Sequence, residues 1–153
     1  MSAIGQTLED FTLPATGGAD FHLAAARGHK LVLYFYPKDN TPGCTTEAGQ
    51  FRDLQPQFAQ LGCLVYGVSR DSLKSHENFK AKLGLPFELI SDAEEVLCKM
   101  LGVIKLKKMY GKEVRGIERS TFLLDAMGVL RREWRGVKTD GHAAEVLAAL
   151  ESL

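Results

Sequence analysis

The chain has 153 residues and carries nineteen basic and nineteen acidic side chains, so its formal net charge at pH 7 is zero. This balance argues against a nucleic-acid binder, which carries a surplus of basic residues to neutralise phosphates. Hydrophobic residues make up 45% and charged residues 25% of the chain, which excludes wholesale disorder and predicts a single domain over residues 1–153.

No segment predicts membrane insertion or export. The longest apolar and aromatic run, Leu31 to Tyr36, has six residues, whereas a membrane-spanning helix needs about 20. The first residues lack the basic stretch and apolar core of a signal peptide. The three cysteines, Cys44, Cys63 and Cys98, form no CxxC pair. We therefore expect a cytoplasmic protein with reduced thiols and without a disulfide framework.

The first half of the chain alternates short apolar runs with helical patterns. The run from Leu31 to Tyr36 predicts a strand buried on both faces, and residues 63–69 predict a second one. Between them, apolar residues recur at three- and four-residue steps over residues 48–61, which predicts a helix that Pro56 should kink or break. A polar segment after the second strand opens another helix, which ends near Leu83.

The second half contains shorter elements. The sequence predicts a strand over residues 87–91, a helix over 92–101, a hairpin over 120–135 and a last helix over 142–150. A cationic segment between them, residues 105–115, is typical of a solvated loop. This order predicts an α/β fold with parallel early strands, namely a thioredoxin-like central mixed β-sheet flanked by helices on both faces. A small flavodoxin-like domain is the alternative.

The candidate reactive group lies in segment 37–47, between the first strand and the first long helix. Thr41 suits the N-cap and Pro42 the first helical position, which makes Cys44 the third residue of the helix. The free amides and the positive end of the helix dipole favour a thiolate there. Gly43 leaves room for a small substrate or a close backbone approach. Cys44 is therefore a candidate nucleophile, although a lone cysteine is often an inert packing residue.

The residues from Tyr34 to Glu47, YFYPKDNTPGCTTE, resemble the peroxidatic loop of the peroxiredoxins, and more narrowly that of the bacterioferritin comigratory protein or peroxiredoxin Q subfamily. The segments GVSRDS at 67–72 and GIERSTFLL at 116–124 resemble the same family, so the resemblance covers nearly the whole chain. It implies an antioxidant peroxidase that needs no metal or organic cofactor and reduces hydrogen peroxide and organic hydroperoxides.

The resemblance also implies a role for each matching residue. Cys44 attacks the peroxide as a thiolate and becomes a sulfenic acid. The Thr41 hydroxyl contacts the sulfur and the peroxide, while Pro37 and Pro42 shape the pocket and shield the thiolate. Arg119 holds the thiolate and orients the peroxide oxygens, a role that suits a guanidinium because it keeps its charge and presents several donors.

The sequence departs from the subfamily at the resolving cysteine, which would form a disulfide with the oxidised one. Position 49, five residues after Cys44, is Gly49, and segment 75–82 contains no cysteine. We expect Cys63 and Cys98 to be packing residues. The predicted cycle therefore uses Cys44 alone and an external thiol such as thioredoxin, glutaredoxin or glutathione. An internal disulfide with Cys98 is the alternative.

Other readings stay open. A cysteine hydrolase would need one of the four scattered histidines as a base beside Cys44, although surface or capping roles are expected for them. A redox sensor or holdase would be oxidised without turnover, and a disulfide reductase lacks its CxxC pair. Glu47 either orients the loop or simply favours the helix N-terminus. No exposed apolar strand or C-terminal arm indicates an oligomer, so we expect a monomer.

Overall fold

A five-stranded mixed sheet forms the centre of the computed structural model, which describes residues 3–153 except for the Met109 side chain. The elements in chain order are β1 (Thr12–Leu13), β2 (Phe21–His22), a 3₁₀ turn (Ala24–Ala26), β3 (Lys30–Phe35), α1 (Pro42–Gln60), β4 (Cys63–Ser69), α2 (Leu73–Leu83), β5 (Leu89–Ser91), α3 (Val96–Met100), β6 (Ile104–Met109), β7 (Lys112–Ile117), β8 (Ser120–Leu124), β9 (Leu130–Arg135) and α4 (His142–Glu151). The main sheet has the strand order β5-β4-β3-β8-β9, while β1–β2 and β6–β7 form separate two-stranded pairs.

The main sheet combines parallel and antiparallel strands. β3 pairs parallel with β4, and β4 pairs parallel with β5, which confirms the predicted direction of the early strands. β8 pairs antiparallel with both β3 and β9. A doubly wound flavodoxin-like sheet is built by helical crossovers between parallel strands. The antiparallel β8–β9 hairpin therefore rules out that alternative.

Helices cover both faces of the sheet, as the sequence predicts. On one face, α1, α2 and α4 pack through buried residues that include Phe58, Phe79 and Val146. On the other face, α3 contributes Leu97, and the N-terminal segment contributes residues such as Phe11. Alternate residues of β3 enter the two cores, so this strand is buried on both sides. Among the described residues, no helix combines the length and the apolar character that a membrane crossing requires.

Pro56 lies inside α1, and the break predicted there does not occur, because the helix continues from Pro42–Gln60. The proline removes one backbone hydrogen bond from the helical ladder. Phe51 and Phe58, on either side of it, are fully buried in the same core. Tertiary packing of the apolar face therefore stabilises the helix on both sides of the proline.

The predicted helix over residues 92–101 is shorter in the structure, where it begins at Val96. The Asp92 carboxylate accepts a hydrogen bond from the Cys98 amide at 2.7 Å, and Glu95 has a left-handed backbone with φ of 63°. The Asp92 side chain, which lies before α3, thus accepts a hydrogen bond from a backbone amide of that helix. Short polar side chains commonly compete with the backbone for such donors.

The cationic segment predicted as a solvated loop forms the exposed β6–β7 hairpin instead. The chain reverses at Tyr110 and Gly111, whose φ angles of 54° and 78° are those of the two-residue turns that join twisted strands. Both faces of this hairpin carry exposed residues. Residues Ile104 to Lys107 alternate apolar and polar side chains, as in a strand, but the many basic residues around them favour a solvated loop.

Candidate active site

The sheet topology brings Cys44 and Arg119 to one edge. β3 ends at Phe35, and the loop after it leads to α1, whose third residue is Cys44. Because β8 is antiparallel to β3, its first residue, Ser120, pairs with Phe35, and Arg119 immediately precedes it. Arg119 Nη2 donates a hydrogen bond to Cys44 Sγ at 3.3 Å. The structure thus joins the two residues that the sequence analysis singled out.

The start of α1 presents backbone donors next to the sulfur. Thr41 is the N-cap residue, and Pro42 occupies the first helical position, as predicted. The Thr41 side chain does not cap the helix, because its hydroxyl donates to the Lys38 carbonyl at 2.9 Å. Amides of a first helical turn have no acceptor within the helix. Together with the helix dipole they favour an anion at this position.

Gly43 lets the guanidinium approach the helix. A Cβ atom at this position would lie 3.2 Å from Arg119 Nη2, which is tighter than ordinary van der Waals contact. Pro37 and Pro42 are both exposed, Pro37 just beyond β3 and Pro42 beside Gly43. Cys44 itself is only 1% exposed. The sulfur is therefore shielded from bulk solvent, and a large reactant reaches it only if the surrounding loop moves.

Glu47 lies one helical turn after Cys44 and binds the other arm of the guanidinium. Arg119 Nη1 donates to Glu47 Oε1 at 2.5 Å, and the Glu47 side chain is fully buried. Burial raises the pKa of Glu47 to about 7, although the charge and hydrogen bond of Arg119 lower it. The guanidinium thus bridges a carboxylate and the cysteine sulfur, which fixes its orientation. The sequence allows two roles for Glu47, orienting the loop or simply favouring the helix N-terminus. These contacts favour the orienting role.

The other two cysteines lie away from this edge. Cys98 packs in the core on the opposite face of the sheet from Cys44. Cys63 begins β4 and pairs with Lys30, the first residue of β3, at the end of the sheet away from Cys44. Burial raises the pKa of Cys63 to about 12. Burial, together with Asp92, also raises the pKa of the Cys98 thiol. Both are buried thiols, as predicted for packing residues.

Two histidines, His76 and His142, are buried, so the expected surface role is wrong for them. His76 contacts Asp39 and the Ile90 carbonyl, and His142 contacts the Thr121 hydroxyl. In the described part of the chain, the side chain that hydrogen-bonds Cys44 Sγ is Arg119, which cannot accept a proton. This arrangement does not supply the base that a cysteine hydrolase requires.

Comparison with known proteins identifies the family. Residues 4–133 match the model of the AhpC/TSA family. Peroxiredoxin Bcp of Xanthomonas campestris is 56% identical over 143 residues, which cover 94% of this chain and 89% of the relative. The chain belongs to the peroxiredoxins. Peroxiredoxin Bcp of Bacillus subtilis is similar to this peroxiredoxin as well, with 50% identity over 98% of this chain and 96% of its own.

Solved structures resemble this peroxiredoxin throughout. A mutant of Xylella fastidiosa PrxQ is 48% identical and has a TM-score of 0.95, covering 99% of this chain and 97% of that one. A structure of the Xanthomonas campestris bacterioferritin comigratory protein, described for its alkyl peroxide reduction activity, is 55% identical with a TM-score of 0.89 over 93% and 90% of the two chains. These similarities confirm the thioredoxin-like fold predicted from the sequence.

The raised pKa of Glu47 predicts a pH-dependent stability for this peroxiredoxin. Between pH 4.5, the ordinary value, and about 7, the native Glu47 holds a proton that the unfolded chain has released, so stability falls as pH rises through this window. We expect the free energy of unfolding to fall by about 3 kcal/mol less over this pH range in Glu47→Gln than in the unaltered protein. Urea unfolding of both proteins at pH 4.5, 6 and 8 measures the difference. Parallel pH profiles for the two proteins would contradict the assignment.

Proposed function

We propose that this peroxiredoxin reduces hydrogen peroxide and organic hydroperoxides at the Cys44 sulfur, with no other cysteine taking part. The observation that carries the proposal is the 3.3 Å contact between Arg119 Nη2 and Cys44 Sγ at the N-terminus of α1. A permanent cation and a helix N-terminus each stabilise a thiolate, which is the nucleophilic form of cysteine. Family membership supports the reaction, and the alkyl peroxide activity described for the Xanthomonas campestris protein supports the organic substrates.

In the proposed first step, the Cys44 thiolate attacks the terminal oxygen of the peroxide. An S–O bond forms as the O–O bond breaks, so the sulfur is oxidised to a sulfenic acid and the peroxide is reduced. The departing hydroxide or alkoxide takes a proton and leaves as water or alcohol. Negative charge moves from the sulfur to that oxygen, and the Arg119 guanidinium and the first-turn amides stabilise it there.

The remaining residues of the loop shape the substrate pocket in this proposal. The Thr41 hydroxyl donates to the Lys38 carbonyl in this structure, and we assign to it a contact with the sulfur and the bound peroxide once it turns away from that carbonyl. Pro37 and Pro42 form the walls that limit access to the sulfur. Gly43 provides space for the guanidinium, since a side chain there would press on Arg119 Nη2. A small pocket of fixed donors suits a substrate whose reacting part is only two oxygen atoms.

The second half of the proposed cycle uses an external thiol. That thiol attacks the sulfenic acid, releases water and forms a mixed disulfide, which a second thiol then cleaves to restore Cys44. Two observations support this route over an internal disulfide with Cys98. A disulfide needs Cα atoms within about 7 Å, and the sheet separates Cys98 from Cys44. In addition, its raised pKa leaves the Cys98 thiol protonated and weakly nucleophilic.

The partner in this cycle is proposed to be a small thiol protein, thioredoxin or glutaredoxin, or glutathione. Cys44, Cys63 and Cys98 are free thiols in the structure, which fits a reducing compartment such as the cytoplasm. We further propose that the chain acts as a monomer built from one domain over residues 1–153.

The positions of the other cysteines predict nearly normal turnover without them. We expect Cys63→Ser and Cys98→Ser to keep most of the peroxidase activity with thioredoxin as reductant, because neither sulfur takes part in the proposed cycle. Steady-state assays of the two variants and the unaltered protein, at equal folded fraction, measure this. If Cys98→Ser stops turnover with thioredoxin but leaves the first oxidation of Cys44 intact, the one-cysteine cycle is wrong.

Intact-mass measurement after one equivalent of peroxide tests the proposed function. A gain of one oxygen, absent in Cys44→Ser, indicates a sulfenic acid on Cys44, whereas a loss of two hydrogens indicates an internal disulfide. Adding glutathione should convert the oxidised form to a mixed disulfide and then back to the reduced mass. Oxidation of Cys44 without turnover when reductant is supplied would favour a redox sensor instead.

A further inference from the structure

A buried network of polar side chains joins the loop before Cys44 to helix α2. Asp39 lies in that loop and His76 lies on α2, and both side chains are almost completely buried. Asp39 Oδ2 lies 2.8 Å from His76 Nδ1 and accepts a hydrogen bond from the Ser75 hydroxyl at 2.8 Å. Its other oxygen, Oδ1, accepts a hydrogen bond from the Tyr36 hydroxyl at 2.7 Å.

The hydrogen bonds define the protonation state of this network. His76 Nε2 lies 3.0 Å from the Ile90 carbonyl oxygen, which can only accept, so Nε2 carries a proton. Asp39 is surrounded by donors, and although burial raises its pKa, hydrogen bonds from His76, Tyr36 and Ser75 lower it below the ordinary value. An ionised carboxylate can only accept as well, so His76 Nδ1 also carries a proton. The hydrogen bonds thus favour an ion pair between an imidazolium and a carboxylate over a neutral pair.

A second acid faces the loop without competing for the histidine. Asp71 Oδ2 accepts the backbone amide of Asp39 at 2.9 Å and the Ser69 hydroxyl at 2.5 Å. These contacts tie Asp39 by its backbone to the end of β4, in addition to the ties of its side chain to α2. The residue is thus held from two separate elements of the fold.

The anchored residue lies two positions before the N-cap of α1. Asn40, directly after Asp39, has a left-handed backbone with φ of 65°, and Thr41, the N-cap of α1, follows it. Asparagine adopts a left-handed conformation more readily than other residues with a side chain, and surrounding contacts fix it there. Asp39 supplies those contacts on one side of Asn40. The position of Cys44, three residues into the helix, therefore depends on the same contacts.

We propose that Asp39 and His76 form a positioning pair for the peroxidase reaction, which holds the loop so that the Cys44 sulfur meets Arg119. This inference rests on the proposed function of Cys44 and adds two residues to it, neither of which contacts the reacting atoms. A buried ion pair contributes little net stability, because the cost of removing two charges from water offsets their attraction. Its presence beside the reactive loop is therefore better explained by the geometry that it imposes.

Nitrogen-15 NMR of the reduced protein at pH 7 tests the ion pair directly. We expect the two ring nitrogens of His76, assigned by their loss in His76→Gln, to have the shifts of a doubly protonated imidazolium. In Asp39→Asn, only one ring nitrogen should be protonated, because the counter-charge is gone. A neutral His76 in the unaltered protein would overturn the proposal, and this reading requires only that His76→Gln folds well enough for its missing signals to be assigned.

Kinetics test the positioning role. We expect Asp39→Asn and His76→Gln each to lower the rate constant for Cys44 oxidation by hydrogen peroxide about tenfold or more, because small displacements of reacting groups are costly. The oxidation rate constant of the double variant should be no lower than that of the slower single variant, because each substitution removes the same contact. Lys80→Met is the matched control, because it removes an ion pair of 2.5 Å to Glu88 from the same helix, away from the loop.

The outcomes separate positioning from general stabilisation. If folded Asp39→Asn and His76→Gln oxidise at the unaltered rate, or if Lys80→Met is slowed as much for an equal drop in melting temperature, the pair has no positioning role. If the unaltered protein itself fails to reduce peroxide, the proposed function fails, and the NMR result then stands as a separate observation on the ion pair.

Discussion

We expect Cys44→Ser to consume peroxide about 10³-fold or more slowly than the unaltered protein, because losing a nucleophile removes the chemical step itself. A serine hydroxyl is a far weaker acid than a thiol, so Arg119 and the helix dipole have no reactive anion to stabilise. Serine is close to cysteine in size, and the site is only 1% exposed, so it fits the same space. Peroxide consumption with dithiothreitol as reductant measures the loss.

The control for this variant is its fold. Unfolding of Cys44→Ser by urea should resemble that of the unaltered protein, so that lost activity reflects lost chemistry. The converse variant, Cys63→Ser combined with Cys98→Ser, leaves Cys44 as the single thiol and should remain active. Substantial peroxide consumption by Cys44→Ser would show that another group is the nucleophile.

The elements around Cys44 could be predicted because their signals are local. Consecutive apolar residues predict both β3 and the strand Cys63–Ser69, and the structure confirms them. The adjacent Thr41 and Pro42 predict the start of α1. Local patterns report the conformation of the chain where they occur, and so they place Cys44 in the first turn of its helix.

The partners of the site could not be predicted in the same way, because their contacts are distant in sequence. Arg119 and Glu47 are separated by 72 positions, and Asp39 and His76 by 37. A single sequence carries no periodic signal for such pairs, which depend on the register of β8 against β3 and on the packing of α2. Arg119 was found through the family resemblance, whereas Asp39 and His76 each resemble an ordinary polar residue until the fold buries them.

Arg119→Ala should slow the oxidation of Cys44 about 100-fold, which is the scale of losing one donor that stabilises charge in a transition state. The variant removes the hydrogen bond to Cys44 Sγ and the cation that favours the thiolate. The oxidation rate of Arg119→Lys should lie between those of Arg119→Ala and the unaltered protein. Lysine keeps the charge but lacks the forked guanidinium that reaches both Glu47 and the sulfur. Stopped-flow oxidation at several pH values measures the rate, and an unchanged rate would remove the arginine from the mechanism.

Arg119→Ala should also lower the stability of the fold, and this effect can be measured separately from its effect on the oxidation rate. Without its cation, Glu47 is a buried and unpaired acid, a change that costs about 3–5 kcal/mol when the carboxylate is ionised. Its pKa, about 7 beside Arg119, should rise further, so the loss of stability should be small at pH 5 and large at pH 8. Adding Glu47→Gln to Arg119→Ala should restore stability at pH 8, because the buried charge is gone. It should not restore the oxidation rate, because the sulfur still lacks its guanidinium. Recovery of both would mean that Arg119 serves only to neutralise Glu47.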